Sequence, residues 1–311
     1  MTHRIRLQPL TRARVGSLGG AGARWVDRLP GLLAELTECW SLTLGRGLPG
    51  GSASYVVAAR TADGDERVVK VLVPDGDLAD ESRVLGPADG HGYVRLHAHD
   101  AERRALLLER LGTSLEHTPL PPEEKLRVLA ATLREAWQLP LDHAQAVAPG
   151  EDRASVLHRL ITDLDRRLDH AAQPRAVEHA LRLAERLAAD FDPAACVVAH
   201  GDPHPANALR LPAPRPGGGS GYVFVDPDGV RADPAYDAGV ALRDWSGRLR
   251  GADARGVLEG YARVLADGTG LPEQRIWDWG FVERVSTGLY VTSFGAPKVG
   301  APLLETAGAL V

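Results

Sequence analysis

Two short strings concentrate the polar chemistry of this 311-residue chain. The first is Ala199-His200-Gly201-Asp202-Pro203-His204-Pro205-Ala206-Asn207, which follows a short apolar run. The second is Phe224-Val225-Asp226-Pro227-Asp228-Gly229, again at the end of an apolar run. An Asp followed five positions later by an Asn puts a proton acceptor and a neutral oxygen donor on one tight loop. An Asp at the end of the next strand adds an anionic oxygen donor. Phosphoryl transfer needs this set: a carboxylate to orient an attacking hydroxyl and take its proton, and hard oxygen ligands for Mg2+ on the phosphates. Asp202 is therefore the candidate base. Asn207 and Asp226 are the candidate magnesium ligands, and Asp228, two residues on, is a candidate for a second metal. His-Gly-Asp alone is a common loop string and Asp-x-x-Gly alone a frequent turn. Their order and joint placement at two strand ends carry the weight.

A nucleotide-handling half is expected upstream. Lys70 lies in Val68-Val69-Lys70-Val71-Leu72-Val73, an apolar strand where an ammonium group is costly unless paired. It is a candidate ligand of the ATP α- and β-phosphates, with Glu81 on the following helix as its acidic partner. The alternative is an edge-strand lysine pointing to solvent. Gly47-Leu48-Pro49-Gly50-Gly51-Ser52 joins two predicted strands, and backbone at Gly50, Gly51 and Ser52 has the freedom to approach phosphates. It matches neither a Walker A loop nor a strict G-x-G-x-x-G, and an ordinary hairpin loop fits equally. In Leu106-Leu107-Leu108-Glu109-Arg110-Leu111, the Glu109 carbonyl and the Leu111 amide have the alternation for two contacts to an adenine ring.

The elements that must position these residues fall into two blocks. Residues 21–40 have helical spacing, with Trp25, Leu29, Leu32, Leu33, Leu36 and Trp40 along one side and Pro30 as a new start or kink. Residues 1–20 read as loose. Strands are expected at Ser41–Leu44, Ser54–Ala59, Arg67–Val73, Tyr93–His97 and Ala105–Leu111, with a helix near 77–86 and a hairpin turn at Asp63-Gly64. Helices follow at 122–138, 153–170 and 174–190. Short strands are expected around Cys196–Ala199 and Tyr222–Val225, and the chain from 235 to 310 is again mainly helical. The Gly/Pro run 212–221 is expected to be a mobile insert. A sheet-rich block followed by a helix-rich one is an α+β, bilobal layout. Residues 1–111 would form a nucleotide-binding lobe with 21–40 as a helical extension, and 112–311 a catalytic and acceptor-binding lobe.

Composition narrows the partners. The net charge is −5, with 44% hydrophobic and 25% charged residues, so there is no global basic field for nucleic acid and no polybasic segment for a membrane surface. No apolar stretch is long enough to span a bilayer, and the N-terminus lacks a secretory h-region. Two cysteines, Cys39 and Cys196, cannot build a disulfide framework or a four-ligand zinc site, and a reduced, cytoplasmic protein is the expectation. A monomer is compatible with the sequence.

At these residues the chain resembles the aminoglycoside phosphotransferases, in the streptomycin 6-kinase and hydroxyurea phosphotransferase branch. The likeness runs from about Leu29 to about Gly295, on LLLERL at 106–111, HGDPHPAN at 200–207, FVDPDG at 224–229 and DPAYDAGVALRDW at 233–245. The resemblance implies a protein-kinase-like fold, ATP and Mg2+, and antibiotic resistance by phosphorylating a drug hydroxyl. It gives Asp202 the role of base, Asn207 and Asp226 that of metal ligands, and Lys70 that of phosphate ligand. It also makes Asp237 a buried aspartate that braces the catalytic loop, with His200 and His204 as loop scaffolding. No Arg precedes Asp202 and there is no Ala-Pro-Glu segment, which speaks against a protein substrate controlled by activation-loop phosphorylation. A polycationic sugar would want carboxylates near Asp202. The candidates are Asp244, Asp278 and Glu283, with Trp245, Trp277 and Trp279 as walls; solvated helix faces and core packing are the plain alternatives. The rivals are the same chemistry on hydroxyurea, another antibiotic or a metabolite, and a non-catalytic pseudokinase.

Overall fold

The computed structural model describes residues 5–50, 53–74, 81–251 and 253–311. The chain divides into two compact units, Met1–Leu78 with Val94–Leu111, and Ala79–Tyr93 with Gly112–Val311. Residues Ala79–Tyr93 thus cluster with the second unit although they precede residue 111.

The first unit is built on an antiparallel sheet of β1 (Leu42–Gly47), β2 (Ser54–Thr61), β3 (Glu66–Leu72), β4 (Leu96–Asp100) and β5 (Ala105–Glu109), in the order β1-β2-β3-β5-β4. Strand alternation sorts β3 into two faces. Val69, Val71 and Val73 join Val57 and Leu107 in a core closed by Trp25, Leu29, Leu32, Leu33 and Leu36 of α2 (Gly19–Cys39). Each such side chain contributes about 1.5–3 kcal/mol by burial, and the Trp25 indole N–H donates to the Leu72 carbonyl at 2.9 Å. Residues Pro9–Ser17, expected to be loose, form α1, which starts on a proline and buries Thr11 and Val15. Pro30 sits inside α2 without ending it. It lies on the exposed face, where the missing N–H leaves its carbonyl partner open to water. Tyr93–His97 is not a strand as expected; β4 begins at Leu96. Tyr93 instead makes a parallel bridge to Phe224 and stacks on His200, with centroids 6.1 Å apart.

The second unit is mainly helical: α3 (Ser82–Ala88), α4 (Pro122–Ala136), α5 (Arg153–Arg167), α6 (Pro174–Ala189), α7 (Pro234–Arg243), α8 (Ala254–Thr269), α9 (Glu273–Ser293) and α10 (Pro297–Ala309). Of the helix expected near 77–86, residues 77–80 lie outside the described residues, as do Gly51 and Ser52 of the glycine loop. Helix starts follow capping chemistry. Asp152 accepts from the Ser155 N–H at 2.9 Å to open α5, and Asp233 from the Ala235 N–H at 2.9 Å to open α7 behind Pro234. Residues Ile276 to Ser286 of α9 are buried all round, and α5, α6, α7, α8 and α10 pack on it. Among the described residues, no helix is long and apolar enough to cross a membrane.

Two antiparallel ribbons complete this unit: β6 (Val197–Ala199) with β9 (Val230–Ala232), and β7 (Ala208–Arg210) with β8 (Tyr222–Phe224). The expected mobile insert 212–221 is tied down. The Gly92 N–H donates to the Gly217 carbonyl at 2.7 Å, Arg215 donates to the Tyr93 carbonyl at 2.9 Å, and Ser220 pairs with Thr132 at 2.8 Å. Gly217 has φ +71°, and a Cβ there would lie 2.5 Å from the His91 Cα, so glycine serves close approach here rather than looseness.

Candidate active site

The loop 200–207 runs from β6 to β7, and the loop 225–229 from β8 to β9. Because β6 pairs with β9 and β7 with β8, both loops are anchored at both ends and lie side by side. Hydrogen bonds stitch them together. The Asp228 N–H donates to the His200 carbonyl at 2.7 Å, and the Val225 N–H to the Asn207 carbonyl at 2.9 Å. His200 Nδ1 accepts from the Asp202 N–H at 3.0 Å, so Nε2 carries the proton and donates to the Val225 carbonyl at 2.9 Å. Burial holds this imidazole neutral, with its pKa pushed down to about 4. His200 is a strut between the loops.

Helix α7 braces the loop from behind. Asp237, fully buried, accepts from the Gly201 N–H at 2.9 Å on Oδ1. On Oδ2 it accepts from the His200 N–H at 2.8 Å and the Trp137 indole N–H at 2.8 Å. Burial pushes its pKa up to about 6, and the three donors pull against that rise. The Tyr236 hydroxyl donates to the Gly201 carbonyl at 3.0 Å. Gly201 has φ +92°, and a Cβ would meet Asp228 Oδ2 at 2.5 Å.

Asp202 projects from this frame with its side chain 40% exposed. Arg243, at the end of α7, donates to its Oδ1 at 2.8 Å, and His204 Nε2 lies 3.2 Å from its Oδ2. Burial works to raise its pKa, but His204 and Arg243 outweigh burial and hold the carboxyl well below the usual range. His204 is pushed up to about 9: burial works against the cation, and Asp202 overcomes it. Its Nδ1 accepts the Ala206 N–H at 3.2 Å, which favours the neutral tautomer and opposes the rise.

Asn207 donates through Nδ2 to the Asp202 carbonyl at 3.0 Å, which leaves Oδ1 to offer a cation. The β7–β8 ladder pairs Ala208 with Phe224, so Asn207 stands one residue and Asp226 two residues beyond that last pair on adjacent strands. Asp226 has φ +60°, a left-handed conformation uncommon outside glycine and tolerated by Asp. The Asp228 carboxyl presses on Gly201. Burial raises its pKa to about 6; Arg153 pulls it down, and Asp202, Asp237 and Glu283 push it up. Two carboxylates and an amide oxygen are hard donors that suit Mg2+ and leave places for water or phosphate.

In the first unit, Lys70 stands on the middle strand of the sheet, paired with Leu106 and Val56, and is 3% exposed. The edge-strand alternative is therefore excluded. Glu81 immediately precedes α3 in the second unit and is 6% exposed. Gly50 follows β1 in an exposed loop. The β3–β5 ladder ends at Arg67–Glu109, so Leu111 lies beyond it.

The three acceptor-side carboxylates separate. Asp244 lines a cavity of about 140 Å³ with Glu116, Lys125, His204 and Trp245. Its Oδ1 accepts from Arg243 Nε at 2.7 Å. Burial raises its pKa, and Arg243 with His204 more than offsets that, leaving it low. Asp278 is not brought to this cavity: on buried α9 it accepts from Arg186 at 2.5 Å and Gln274 at 2.8 Å. Glu283 is 2% exposed and bonds Thr287 at 3.1 Å and Arg243 at 3.5 Å, with Arg153 at 3.6 Å. It stands behind Asp202 rather than at the cavity. Neither is on a solvated face, because α9 has none at these positions. Trp245 borders the cavity, whereas Trp277 and Trp279 are core, Trp279 packing edge-on to Tyr236. The sequence did not single out Arg243, Arg153 or Trp137; an arginine inside an otherwise apolar, buried helix is the signal that marks Arg243 as paired.

Comparison with known proteins gives the chain a family. Residues 39–295 match the family described as aminoglycoside/hydroxyurea antibiotic resistance kinase. The chain is 25% identical over 305 residues to a streptomycin 6-kinase of Streptomyces glaucescens, across 97% of this chain and 96% of that one. It is 30% identical over 227 residues to a hydroxyurea phosphotransferase of Kitasatospora aureofaciens, across 72% of this chain and 64% of that one. A solved aminoglycoside phosphotransferase of Streptomyces rimosus, in complex with ADP and streptomycin, shares the fold. Its TM-score is 0.53 at 19% identity, covering 83% of this chain and 98% of that one. With its antiparallel sheet, its helical second unit and this match over most of its length, the chain belongs to the aminoglycoside/hydroxyurea antibiotic resistance kinase family and is one of its phosphotransferases.

Proposed function

We propose that the protein transfers the γ-phosphoryl group of ATP to a hydroxyl of a streptomycin-like aminoglycoside. The observation that carries this is the state of Asp202: ionised, half exposed, fixed through Oδ1 by Arg243, and on the same stitched loops as Asn207 and Asp226. The acceptor hydroxyl would donate to Asp202 Oδ2, which has a lone pair beyond the one facing His204. As the hydroxyl oxygen bonds to the γ-phosphorus, the bond from that phosphorus to the bridging oxygen breaks. ADP leaves, and the hydroxyl proton passes to Asp202. Asn207 and Asp226 would hold Mg2+, with Asp228 beside them, and the ion would neutralise charge on the phosphates. Buried Lys70, on its central strand, fits a phosphate ligand. Glu81, Gly50 and the Glu109–Leu111 backbone are proposed for the same nucleotide. Asp244 is proposed for the acceptor.

The acceptor rests on the similarity to streptomycin 6-kinase over nearly the whole chain. Hydroxyurea is the second choice, favoured by the 30% identity to a hydroxyurea phosphotransferase. The full set Lys70, Asp202, Asn207 and Asp226 speaks against a pseudokinase. The test incubates pure protein with ATP, Mg2+ and a panel containing streptomycin, other aminoglycosides and hydroxyurea, followed by mass spectrometry. Addition of one phosphoryl group to streptomycin is expected. Addition to hydroxyurea alone would move the acceptor, and addition to no member of the panel would overturn the resistance assignment.

A further inference from the structure

Arg243 occupies a place that ordinary stability does not explain. It is 7% exposed, and its guanidinium meets three carboxylates at once. Nε donates to Asp244 at 2.7 Å, one terminal nitrogen to Asp202 Oδ1 at 2.8 Å, and the other to Glu283 at 3.5 Å and Thr287 Oγ1 at 3.1 Å. The three carboxylate side chains differ in exposure: Glu283 is 3% exposed, Asp244 31% and Asp202 40%. Pairing with the most exposed of them contributes least to stability, since a solvated carboxylate gains little from an ion pair. The same bond contributes most to placement, because among the described residues no other side chain donates to Asp202 Oδ1, while His204 faces Oδ2. A guanidinium is planar, so fixing two of its nitrogens on Asp244, Glu283 and Thr287 fixes the direction of the third. Helix α7 thus holds the loop twice. Its first turn holds the backbone of His200 and Gly201 through Asp237, and its last residue holds the side chain of Asp202.

We propose that Arg243 is a positioning residue for phosphoryl transfer: held by Asp244, Glu283 and Thr287, it engages Asp202 Oδ1 and fixes the rotation of the carboxylate, so that Oδ2, which also faces His204 at 3.2 Å, holds a set direction toward the acceptor hydroxyl. This rests on Asp202 being the base, as proposed above. Arg243 touches neither nucleotide nor acceptor in this role, so its loss slows turnover without weakening ATP binding.

The test compares wild type, Arg243→Ala, Arg243→Lys and Asp202→Asn, each checked by thermal melting. ADP formation is measured with streptomycin, with hydroxyurea and with water as acceptor. Arg243→Ala is expected to lower kcat about 100-fold, the scale of a misplaced catalytic group, with KM for ATP within about twofold. Arg243→Lys, which keeps the charge but not the fork, is expected to lose about tenfold. Guanidinium ion added at millimolar concentration is expected to restore part of the Arg243→Ala turnover and none of the Asp202→Asn turnover. If Arg243→Ala does not fold, the Lys variant decides. An inactive Asp202→Asn beside an Arg243 variant with wild-type kcat would overturn the positioning role alone, as would a loss expressed in the KM for ATP. A fully active Asp202→Asn, or a wild type that forms no ADP with any acceptor, would overturn the base assignment and the positioning role together.

Discussion

Replacing Asp237 by Asn changes one atom and removes the logic of the brace. All three bonds to this side chain are donated to it: Gly201 N–H to Oδ1, and His200 N–H with the Trp137 indole to Oδ2. An amide has one oxygen, so its NH2 must face a buried N–H whichever way it turns. The better choice keeps the oxygen toward His200 and Trp137 and sets the NH2 against Gly201. Two charge-assisted bonds then become neutral, each weaker by about 1 kcal/mol, and one buried donor is left unpaired at about 1–3 kcal/mol. Burial of the carboxylate already costs something, seen in a pKa pushed up to about 6, and Asn recovers part of that. The net expectation is a loss of about 3 kcal/mol. Urea unfolding at pH 7.5 reads it as a lower midpoint at unchanged m. Trp137→Phe removes a single donor and should cost about 1 kcal/mol. Transfer in Asp237→Asn should fall as well, since Gly201 immediately precedes Asp202. An Asp237→Asn protein within about 0.5 kcal/mol of wild type and fully active would refute the brace.

Other consequences follow from the same loops. Gly201→Ala places a Cβ 2.5 Å from Asp228 Oδ2 at φ +92°, and should cost roughly 3 kcal/mol and most of the activity, read by melting and ADP release. Asp228→Asn should do the opposite to stability. The folded-state pKa of Asp228 is raised to about 6 from 3.8, so the folded protein binds the proton more tightly and stability declines as pH rises from about 4 through 6. Asn removes that decline, giving about 2 kcal/mol more stability than wild type at pH 7.5 and no gain near pH 4, while transfer falls. Equal stability of the two proteins at pH 7.5 would contradict the placement of Asp228 among Asp202, Asp237 and Glu283.

The parts of the site that could be read from the sequence are those held within one short string. Asp202 and Asn207 share a loop, and Asp226 ends the neighbouring strand, so spacing alone related them. Lys70 was legible because valines on both sides imply a strand buried on both faces, where a lysine must be compensated. Strands β7 and β9 escaped notice: at three residues each they have too little pattern to separate from loop, yet their pairing is what sets the two loops side by side. In the run 212–221, Gly217 serves close packing against His91, which composition does not distinguish from freedom. Asp278 and Glu283 were misplaced for a tertiary reason. A carboxylate on a helix is solvated by default, but Ile276–Val285 is buried all round and mostly apolar, and its carboxylates are paired with Arg186, Arg153 and Arg243. Arg243 has no local signal for its partner, since Asp202 lies 41 residues earlier.

The central claim is that Asp202 serves chemistry rather than nucleotide binding. Single-turnover transfer from ATP labelled at the γ-phosphate, run beside calorimetric titration of ATP with Mg2+, tests it in wild type and Asp202→Ala. The account predicts transfer in wild type, near-complete loss in the variant, and ATP affinity unchanged within about twofold. An Asp202→Ala protein that transfers phosphoryl at the wild-type rate would contradict it.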